Sequence, residues 1–503
     1  MIAAVATLRH PPLTFFPVAP EFALIATAIL AMLLDAFFPQ LRRIWLALLS
    51  LAGIAVAAGF TIALWSWHGS PVVLGGMVAV DRYSVFFRLV LLGTAAVGVI
   101  LAYRYLERAG EHRGEYYPLL LFATAGMTLI TAADDLILVF IALEILSLSL
   151  YLLTGFSFRR LASAEASMKY FLLGAFSSAF FLFGVAFAFG ASGTTNLTGI
   201  ARQLAAAQAF RINPTPVLLG PHPSTDLALI AAGLLAVGFL FKVAAVPFHM
   251  WTPDAYQGAP TSVTAFMSAG TKVAAFAAFL RVFTVAFHPL IVDWRPFVAA
   301  IAILSMVVGS LLAVSQTDVK RMLAYSSIAQ AGFILVGVAA ATPAGTQAAM
   351  YYLLAYAAMI LGAFGVVILV SSRGEGDTSL GAYRGLARRS PVLAAALSLF
   401  LLSLAGIPPT AGFMGKATVF GAAVRAGYWP LVLVAVLASV LAAFFYLRVI
   451  VLMYMQDPDE LTGVEVAVAP GAAIAVLAAV TLVVGLFPGL VFTPLQTAGL
   501  VRF

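Results

Sequence analysis

The stretch FLFKVAAVPFHMWTPDAYQGAP, residues 239–260, places one lysine in an apolar run and then interrupts that run with a proline. Pro247 has no backbone N–H and cannot continue a regular α-helix, so we predict a helix that breaks just beyond Lys242. A charge at the centre of a bilayer costs roughly 2.5–3.5 kcal/mol on insertion scales, and it persists only with a partner or a function. This stretch therefore predicts a discontinuous membrane helix that carries a titratable group.

The composition of the whole chain is that of a membrane protein. Of its 503 residues, 63% are hydrophobic and 9% are charged, and the mean hydropathy is +1.06. Soluble domains have about 25% charged residues. Apolar stretches of about 20 residues, the length that a helix needs to cross a bilayer, recur along the chain. We therefore predict an all-α integral membrane protein whose residues 1–503 form a single polytopic domain.

Hydrophobic windows separated by proline, glycine or charge divide the chain into about fourteen transmembrane helices. The first window is too long for a signal-peptide core and lacks a small-residue cleavage site, so we expect it to be retained. The twelfth window is too long for one straight crossing and contains Pro408 and Pro409, which predicts a second discontinuous helix. The predicted spans are residues 21–39, 44–66, 83–104, 117–132, 135–156, 168–190, 226–247, 261–287, 295–315, 321–342, 347–371, 391–426, 429–454 and 467–490.

A weak internal symmetry relates two groups of five spans, residues 117–287 and 295–454. In each group the fourth span is interrupted by proline. Because five is an odd number of crossings, the second group enters the membrane from the opposite side, and the two groups form inverted repeats. Broken helices at corresponding places in two such halves indicate a transport site near the middle of the bilayer.

The basic residues of the loops predict the orientation of the chain. Loops after odd-numbered spans contain thirteen basic residues, and the loops and tails on the other side contain seven. The positive-inside rule places the first set in the cytoplasm and both termini on the outer side. The first set is Arg42, Arg43, Arg104, Arg108, Arg113, Arg159, Arg160, Lys320, Arg321, Arg373, Arg384, Arg388 and Arg389; the second is Arg9, Arg82, Arg202, Arg211, Arg295, Arg425 and Arg502. The longest loops, residues 191–225 and 372–390, are too small to be domains.

Several classes of site are missing from the sequence. The chain has no cysteine, which excludes iron–sulfur clusters held by thiolates, c-type haem attachment and disulfides. It has no dinucleotide-binding, P-loop, HExxH or EF-hand motif. The net charge of +7 comes from residues scattered beside spans, where orientation explains them, so we expect no nucleic-acid partner. We expect no cofactor or metal in this chain.

The distribution of lysine suggests proton transfer. The chain has five lysines against twenty-two arginines, and four of the five lie within or at the edge of predicted spans: Lys169, Lys242, Lys272 and Lys416. Arginine stays protonated at any accessible pH, whereas a lysine taken out of water can release its proton near neutrality. The choice of lysine therefore favours sites that repeatedly accept and release a proton.

Glu144 is the only carboxylate deep within a predicted span, and it has the charge and depth to be the partner of Lys242. When paired, the carboxylate would hold the lysine protonated; when the pair separates, the lysine would release its proton. A purely structural ion pair is the alternative for Lys242.

Further candidate proton-transfer residues lie later in the sequence. Lys272 lies near the middle of the eighth span, and Lys416 follows the double proline, where freed carbonyls and water can solvate it. His249 lies beyond Pro247 and could relay protons. For each of these residues a purely structural role stays open as an alternative: an ion pair for Lys272, a loop cap for Lys416 and a hydrogen bond for His249.

Lys169, at the predicted cytoplasmic edge, could equally extend its amine to the membrane surface. We expect Ser326, Ser327 and Gln330 of the tenth span to hold water between the lysines.

Four stretches resemble one known family: KVAAVPFHMWTPDAYQGAPTSVTAFMSAGTKVAAF (242–276), AEASMKYFLLGAFSSAFFLFG (164–184), DVKRMLAYSSIAQAGFILVG (318–337) and LAGIPPTAGFMGK (404–416). They are similar to the antiporter-like proton-pumping membrane subunits of respiratory complex I. The resemblance implies fourteen helices with two inverted five-helix repeats. It also implies that Glu144 and Lys242 form the charge pair of an input half-channel, with Lys272 the connecting lysine and Lys416 the exit residue. Lys169 matches a lysine that is common in the family. The family often has histidine where this chain has Gln330, and glutamine does not titrate.

The resemblance also implies a function. We expect proton translocation coupled to electron transfer from NADH to quinone, with the NADH, flavin, iron–sulfur and quinone sites on partner subunits. The expected surroundings are other membrane subunits of complex I and the lipid bilayer of a bacterial inner (plasma) membrane. Two alternatives are a subunit of a multi-subunit Na⁺/H⁺ antiporter and a subunit of a membrane-bound hydrogenase or related dehydrogenase. Tyr256 favours complex I, because the antiporter relatives tend to have histidine there.

Overall fold

The computed structural model describes residues 14–212, 225–371, 377–458, 463–498 and 500. In these ranges the chain is almost entirely helical, which confirms the predicted all-α class. Arg9, Arg373 and Arg502, which contributed to the predicted orientation, lie outside the described residues, as does the side chain of Arg211.

The helices follow the predicted spans closely. Up to the centre of the chain they are α1 (Ala19–Phe37), α2 (Arg43–Ala63), α3 (Arg82–Ala109), α4 (Tyr116–Ala132), α5 (Leu136–Thr154), α6 (Leu161–Ser192), α7 (Leu197–Ile212), α8 (Thr225–Lys242), α9 (Trp251–Gly258) and α10 (Thr261–Arg281). The remainder are α11 (Ile291–Val314), α12 (Val319–Ala340), α13 (Pro343–Val370), α14 (Leu386–Arg389), α15 (Pro391–Ala405), α16 (Ala411–Arg425), α17 (Trp429–Met455), α18 (Val468–Leu486) and α19 (Gly489–Thr497). A two-stranded antiparallel sheet, β1 (Val72–Val73) and β2 (Val78–Ala79), lies between α2 and α3. Short 3₁₀ turns occur at Phe16–Val18, Leu64–Ser66, Leu74–Gly76, His288–Leu290 and Leu380–Tyr383, and a π turn at Val282–Ala286.

The multi-pass membrane architecture is confirmed. Twelve helices in the described part of the chain are long and apolar enough to span a membrane, and two shorter apolar helices, α4 and α15, accompany them. The largest shift from a predicted boundary is in α6, which begins at Leu161 instead of residue 168. The number of crossings and the inverted repeats stay predictions.

Both predicted helix breaks are present. α8 ends at Lys242 and α9 begins at Trp251; α15 ends at Ala405 and α16 begins at Ala411. Gly406 ends α15 with φ +88, a left-handed conformation that glycine adopts without steric cost, and its N–H bonds the carbonyls of Leu402 and Ser403. The Val246–Pro247 and Pro408–Pro409 bonds in these breaks are cis.

One segment differs from its prediction. Residues 191–225, interpreted as a loop, contain helix α7. Its buried side chains, Ile200, Leu204 and Ala207, recur at helical spacing, while the residues between them are more polar. The segment is therefore too polar on average for a membrane span, although its periodicity indicates a helix.

The centre of the molecule is formed by α10, α12 and α13. Every residue of α10 is buried, and nearly every residue of α12 and α13 is as well. α1, α2 and α18 expose many large apolar side chains and lie at the periphery. The helix that carries Lys272 is therefore enclosed by protein.

Candidate functional site

Lys242 is the last residue of α8, where the first helix break begins, and its side chain is buried. Its Nζ lies 3.5 Å from the hydroxyl of Tyr151, and 5.3 Å from the ring centroids of Tyr151 and Tyr170. Aromatic faces attract cations, and the carbonyl end of α8 is the negative end of the helix dipole. The aromatic faces and the helix end attract a protonated amine, and no carboxylate is in contact with it.

The predicted ion pair between Glu144 and Lys242 is indirect in the structure. In the part of the chain that the structure describes, no carboxylate oxygen of Glu144 lies within 4 Å of Lys242 Nζ; Ser178 donates a hydrogen bond of 2.5 Å to Glu144 Oε1. Tyr151, two turns beyond Glu144 on α5, interacts electrostatically with Glu144 and contacts Lys242. Glu144 and Lys242 interact electrostatically without a direct contact, and their partnership in proton transfer stays a prediction.

Lys272 lies in the middle of α10 and is buried. Its Nζ donates to the backbone oxygen of Ser327 and to Ser327 Oγ at 2.7 Å. The hydroxyl of Tyr356 donates to the same Oγ at 2.9 Å, and the Tyr356 ring lies 5.3 Å from the amine. The amine is thus held by neutral oxygens on α12 and by an aromatic face.

Polar side chains of α12 continue from Lys272 towards the second helix break. Ser326, next to Ser327, bonds the hydroxyl of Tyr446. Gln330 donates to Tyr446 Oη at 3.3 Å and to the carbonyl of Leu404 at 2.9 Å, and it accepts from Tyr352 at 2.5 Å. Water between the lysines stays a prediction; the structure shows two hydrogen-bonded groups of side chains along this part of α12, one around Ser327 and one around Gln330.

Lys416 is buried near the start of α16, beyond the second break. Its Nζ donates to the carbonyl of Ala405 at 2.8 Å and to Ser439 Oγ at 2.7 Å, and it lies 4.4 Å from the ring centroid of Phe333. Ala405 is the last residue of α15, so its carbonyl has no partner further along that helix. The break itself therefore supplies an acceptor for the amine.

Lys169 lies apart from this buried string. Its side chain is 45% exposed, and its Nζ is 2.7 Å from Glu165 Oε1 and 2.8 Å from Asp254 Oδ2. Asp254 also pairs with Arg321 at 2.8 Å. Lys169, Glu165 and Asp254 line a polar cavity of about 330 Å³ at the end of α9. Lys169 is therefore part of an ionic cluster on the side that the sequence predicts to be cytoplasmic.

His249 lies in the break between α8 and α9 and is half-buried. Its Nδ1 has no hydrogen-bond partner in the described part of the chain. The structure thus places His249 beside the string of lysines but not in contact with Lys242 or Lys272.

Sequence reasoning missed the tyrosines of the site. Between Lys242 and Lys272 lie Tyr170, which stacks on Trp251 at 4.4 Å, and Tyr256, whose side chain interacts with Ser327. Tyr151 places a hydroxyl beside Lys242, and Tyr356 and Tyr446 bond the serines of α12 next to Lys272. A signal was available, because a tyrosine in the middle of an apolar span is a polar group that needs a partner.

Sequence reasoning also missed a buried ion pair. Arg88 of α3 binds Glu21 of α1 through two bonds, Nε to Oε1 at 3.0 Å and Nη2 to Oε2 at 3.2 Å. Both side chains are almost inaccessible. Glu21 lies in the first turn of α1, whereas Glu144 lies in the middle of α5. The pair links α1 to α3, away from the lysines.

An ionic cluster closes one end of α10. Arg281 binds Asp81 through Nη1 and Nη2 at 2.8 and 2.9 Å and donates to the carbonyl of Thr131. Asp134, in the turn between α4 and α5, lies nearby. Burial raises the pKa of the Asp134 carboxyl to about 6, against the opposing effect of Arg281. The cluster lies at the end of the molecule that is predicted to face outwards.

Comparison with known proteins identifies the family. A family model described as "NADH:quinone oxidoreductase/Mrp antiporter, TM" matches residues 133–442. NADH-quinone oxidoreductase subunit N of Trichlorobacter lovleyi is 43% identical over 95% of this chain and 96% of its own length. This chain belongs to the subunit N family. The resemblance seen in the four sequence stretches is thereby confirmed.

Solved structures agree with membership of the subunit N family. A chain of respiratory complex I from Thermus thermophilus with bound aureothin superposes with a TM-score of 0.79 at 35% identity, over 95% of this chain and 100% of that one. A chain of the Mrp complex from Dietzia sp. has a TM-score of 0.82 at 24% identity, over 96% and 97%. The second comparison shows a shared fold only.

Proposed function

We propose that this chain translocates protons as a membrane subunit of NADH–quinone oxidoreductase and carries no redox group itself. The observation that supports this most is that buried amines and hydroxyls occur at both helix breaks and, between them, on α10 and α12. Partner subunits would hold NADH, flavin, iron–sulfur clusters and quinone. The proposed location is a bacterial plasma membrane, with other membrane subunits of the complex as neighbours and both termini outside.

The first proposed step takes place at Glu144 and Lys242. Redox energy released elsewhere in the complex changes the charge or position of Glu144, and Lys242 responds through Tyr151, which interacts with both. Moving one charge against 100 mV costs about 2.3 kcal/mol. A tenfold change in the proton affinity of a lysine is about 1.4 kcal/mol, so a change of about two orders of magnitude is enough.

The second proposed step carries the proton from Lys272 to Lys416. Ser327 contacts Lys272, and Gln330 reaches the carbonyl of Leu404, next to the Ala405 carbonyl that binds Lys416. Gln330 orients Tyr446 and Tyr352 by hydrogen bonds and takes no proton itself. Lys416 then releases the proton towards the outer side.

Lys169 and His249 have peripheral roles in this proposal. The polar cavity beside Lys169, Glu165 and Asp254 opens at the predicted cytoplasmic side and would collect protons there. His249, half-buried in the first break, would exchange protons with water.

Two inverted repeats, residues 117–287 and 295–454, are part of the proposal. A matching local arrangement supports them. Asp135 caps α5 by accepting from the N–H of Ile137 at 2.8 Å, and Asp318 caps α12 by accepting from the N–H of Arg321 at 2.9 Å. The second carboxylate oxygen of each aspartate accepts a hydrogen bond from a threonine that follows the next long helix. For Asp135 this is Thr195, after α6, and for Asp318 it is Thr378, after α13.

The test is Glu144→Gln in the purified complex, reconstituted into liposomes, with internal pH followed during NADH oxidation. We expect the number of protons pumped per NADH to fall at least fivefold, because the neutral amide removes the charge to which Lys242 responds. The matched control is Glu115→Gln, at the exposed residue that precedes α4. An assembled Glu144→Gln complex with a normal ratio would contradict the proposal.

The same liposomes separate the alternatives. If an imposed sodium gradient drives a change of internal pH without NADH, the chain acts as an antiporter subunit. If the chain purifies with partners that lack a flavin-containing NADH site, it belongs to a hydrogenase or another dehydrogenase.

A further inference from the structure

A groove of about 680 Å³ lies between α2, α3 and the segment that leads into α18. Its walls are apolar and include Leu48 and Leu51 of α2, Val99 and Ile100 of α3, and Val468. Its mouth is formed by Tyr103, Arg104, Arg108 and Glu465. The groove is separate from the row of lysines and has no role in the function proposed above.

The groove opens towards lipid. Leu48 is 46% exposed and Val468 is 88% exposed, and both lie on peripheral helices. Exposed apolar side chains on membrane helices face the acyl chains of the bilayer. Trp45, on the first turn of α2, is also exposed, as is typical of aromatic residues at the headgroup level. The mouth therefore lies at the height of lipid headgroups and the walls at the height of their tails.

Arg104 and Arg108 lie four residues apart, on the same face of α3. Arg104 Nη1 is 2.7 Å from Glu107 Oε2, and Arg108 Nη2 is 3.4 Å from Glu465 Oε2. Glu465 is 89% exposed, and ion pairs of exposed side chains contribute little to stability. A phosphate group, which guanidinium binds through two parallel bonds, can therefore replace these carboxylates at the mouth.

We propose that this groove binds one anionic phospholipid from the leaflet at the Arg104 end. Its phosphate lies between Arg104 and Arg108, the Tyr103 ring borders the headgroup, and an acyl chain lies along Leu48 and Ile100. Basic pockets between membrane helices on the cytoplasmic side are known to bind anionic lipid headgroups. The predicted orientation places this mouth on that side, and the volume of the groove is within the range of small-molecule pockets.

The experiment uses the purified complex in nanodiscs of phosphatidylcholine that contain a small fraction of photoactivatable phosphatidylglycerol. After illumination, labelled peptides of this chain are quantified by mass spectrometry. In Arg104→Gln/Arg108→Gln we expect labelling of α2 and α3 to fall about tenfold or more, since each basic residue near the surface contributes on the order of a fivefold effect. A second variant, Leu48→Trp, fills the groove, keeps both arginines and should lower the same labelling.

The matched control is Arg384→Gln/Arg388→Gln, which removes two arginines at the same spacing on the same predicted side, neither of which lines the groove. Unchanged labelling in the Arg104/Arg108 variant would overturn the proposal. An equal loss in the control would also overturn it, because the attraction would then be to the charged surface in general. Equal labelling of wild type by photoactivatable phosphatidylcholine would exclude a requirement for an anionic headgroup.

Discussion

The two helix breaks place their lysines in contrasting surroundings. Lys242 ends the first half of its broken helix and has aromatic faces and one hydroxyl at 3.5 Å around its amine. Lys416 lies in the second half of its broken helix, with a carbonyl at 2.8 Å and a hydroxyl at 2.7 Å. In the function proposed above, the protonation of Lys242 depends on the nearby carboxylate of Glu144, whereas the oxygens around Lys416 are neutral. The first break is therefore suited to switching and the second to holding a proton steadily.

The helices α5 and α12, which contact the first and the second break respectively, show the same contrast. Glu144 lies nine residues after the capping Asp135 of α5, and Ser327 lies nine residues after the capping Asp318 of α12. If the two halves are repeats, as we propose, a carboxylate in the first half corresponds to a hydroxyl in the second. In this proposal only the first half has a charge that can act on its lysine, and the second half has hydrogen bonds.

The largest expected effect comes from removing either lysine. Lys242→Met and Lys416→Met should each lower NADH-driven proton pumping at least tenfold, since the proton passes both sites in series. Pumping per NADH in liposomes measures this, and native gels check assembly. Arg425→Gln, exposed at the end of α16, is the control. Full pumping by one assembled variant would remove that lysine from the route.

The hydroxyl partners of the two lysines should differ in importance. Tyr151→Phe removes the hydroxyl beside Lys242 but keeps the ring, and we expect pumping to fall about fivefold, the effect of one hydrogen bond of about 1 kcal/mol. Ser439→Ala leaves the Ala405 carbonyl on Lys416, so we expect only about a twofold loss. Initial pumping rates of the two variants give the comparison directly. Equal losses would mean that the two breaks do not differ as described.

Gln330 provides a test of the connection between the halves. Gln330→Leu removes the bonds to the Leu404 carbonyl and to Tyr446, and we expect about a threefold loss of pumping because the row of hydrogen bonds is interrupted. Gln330→His keeps a polar side chain at this position and should therefore retain most of the activity. If Gln330→Leu pumps normally, the proton passes from Lys272 to Lys416 by another route.

The smallest expected effect is at Asp134, which directly precedes the capping Asp135. The residue that directly precedes the capping Asp318 of α12 is Thr317, which has no carboxylate. The pKa of Asp134 is about 6 in the folded protein because of burial and about 3.9 in an unfolded chain, so the folded state loses stability as pH rises from about 4 to above 6. Asp134→Asn should remove this penalty, about 1–3 kcal/mol at pH 7.5, and raise the melting temperature on the order of 1–2 °C. Thermal unfolding of the purified complex at pH 7.5 and pH 4 measures it. The same gain at both pH values would show that Asp134 is not the titrating group.

The helices and both breaks could be predicted from sequence because hydropathy and proline act locally. Pro247, Pro408 and Pro409 mark the interruptions whatever packs around them. The contacts between helices could not be predicted, because periodicity does not show which faces meet. For this reason Tyr151 was not expected between Glu144 and Lys242, and Arg88, although visible within a predicted span, was not matched with Glu21.

The complete burial of α10 sets the height of Lys272 in the membrane. Since no residue of α10 touches acyl chains, a thicker or thinner bilayer does not act on it directly. Peripheral helices such as α1, α2 and α18 absorb the mismatch by tilting. The distances from the Lys272 amine to the two helix breaks should therefore stay constant in membranes whose lipids differ in acyl-chain length.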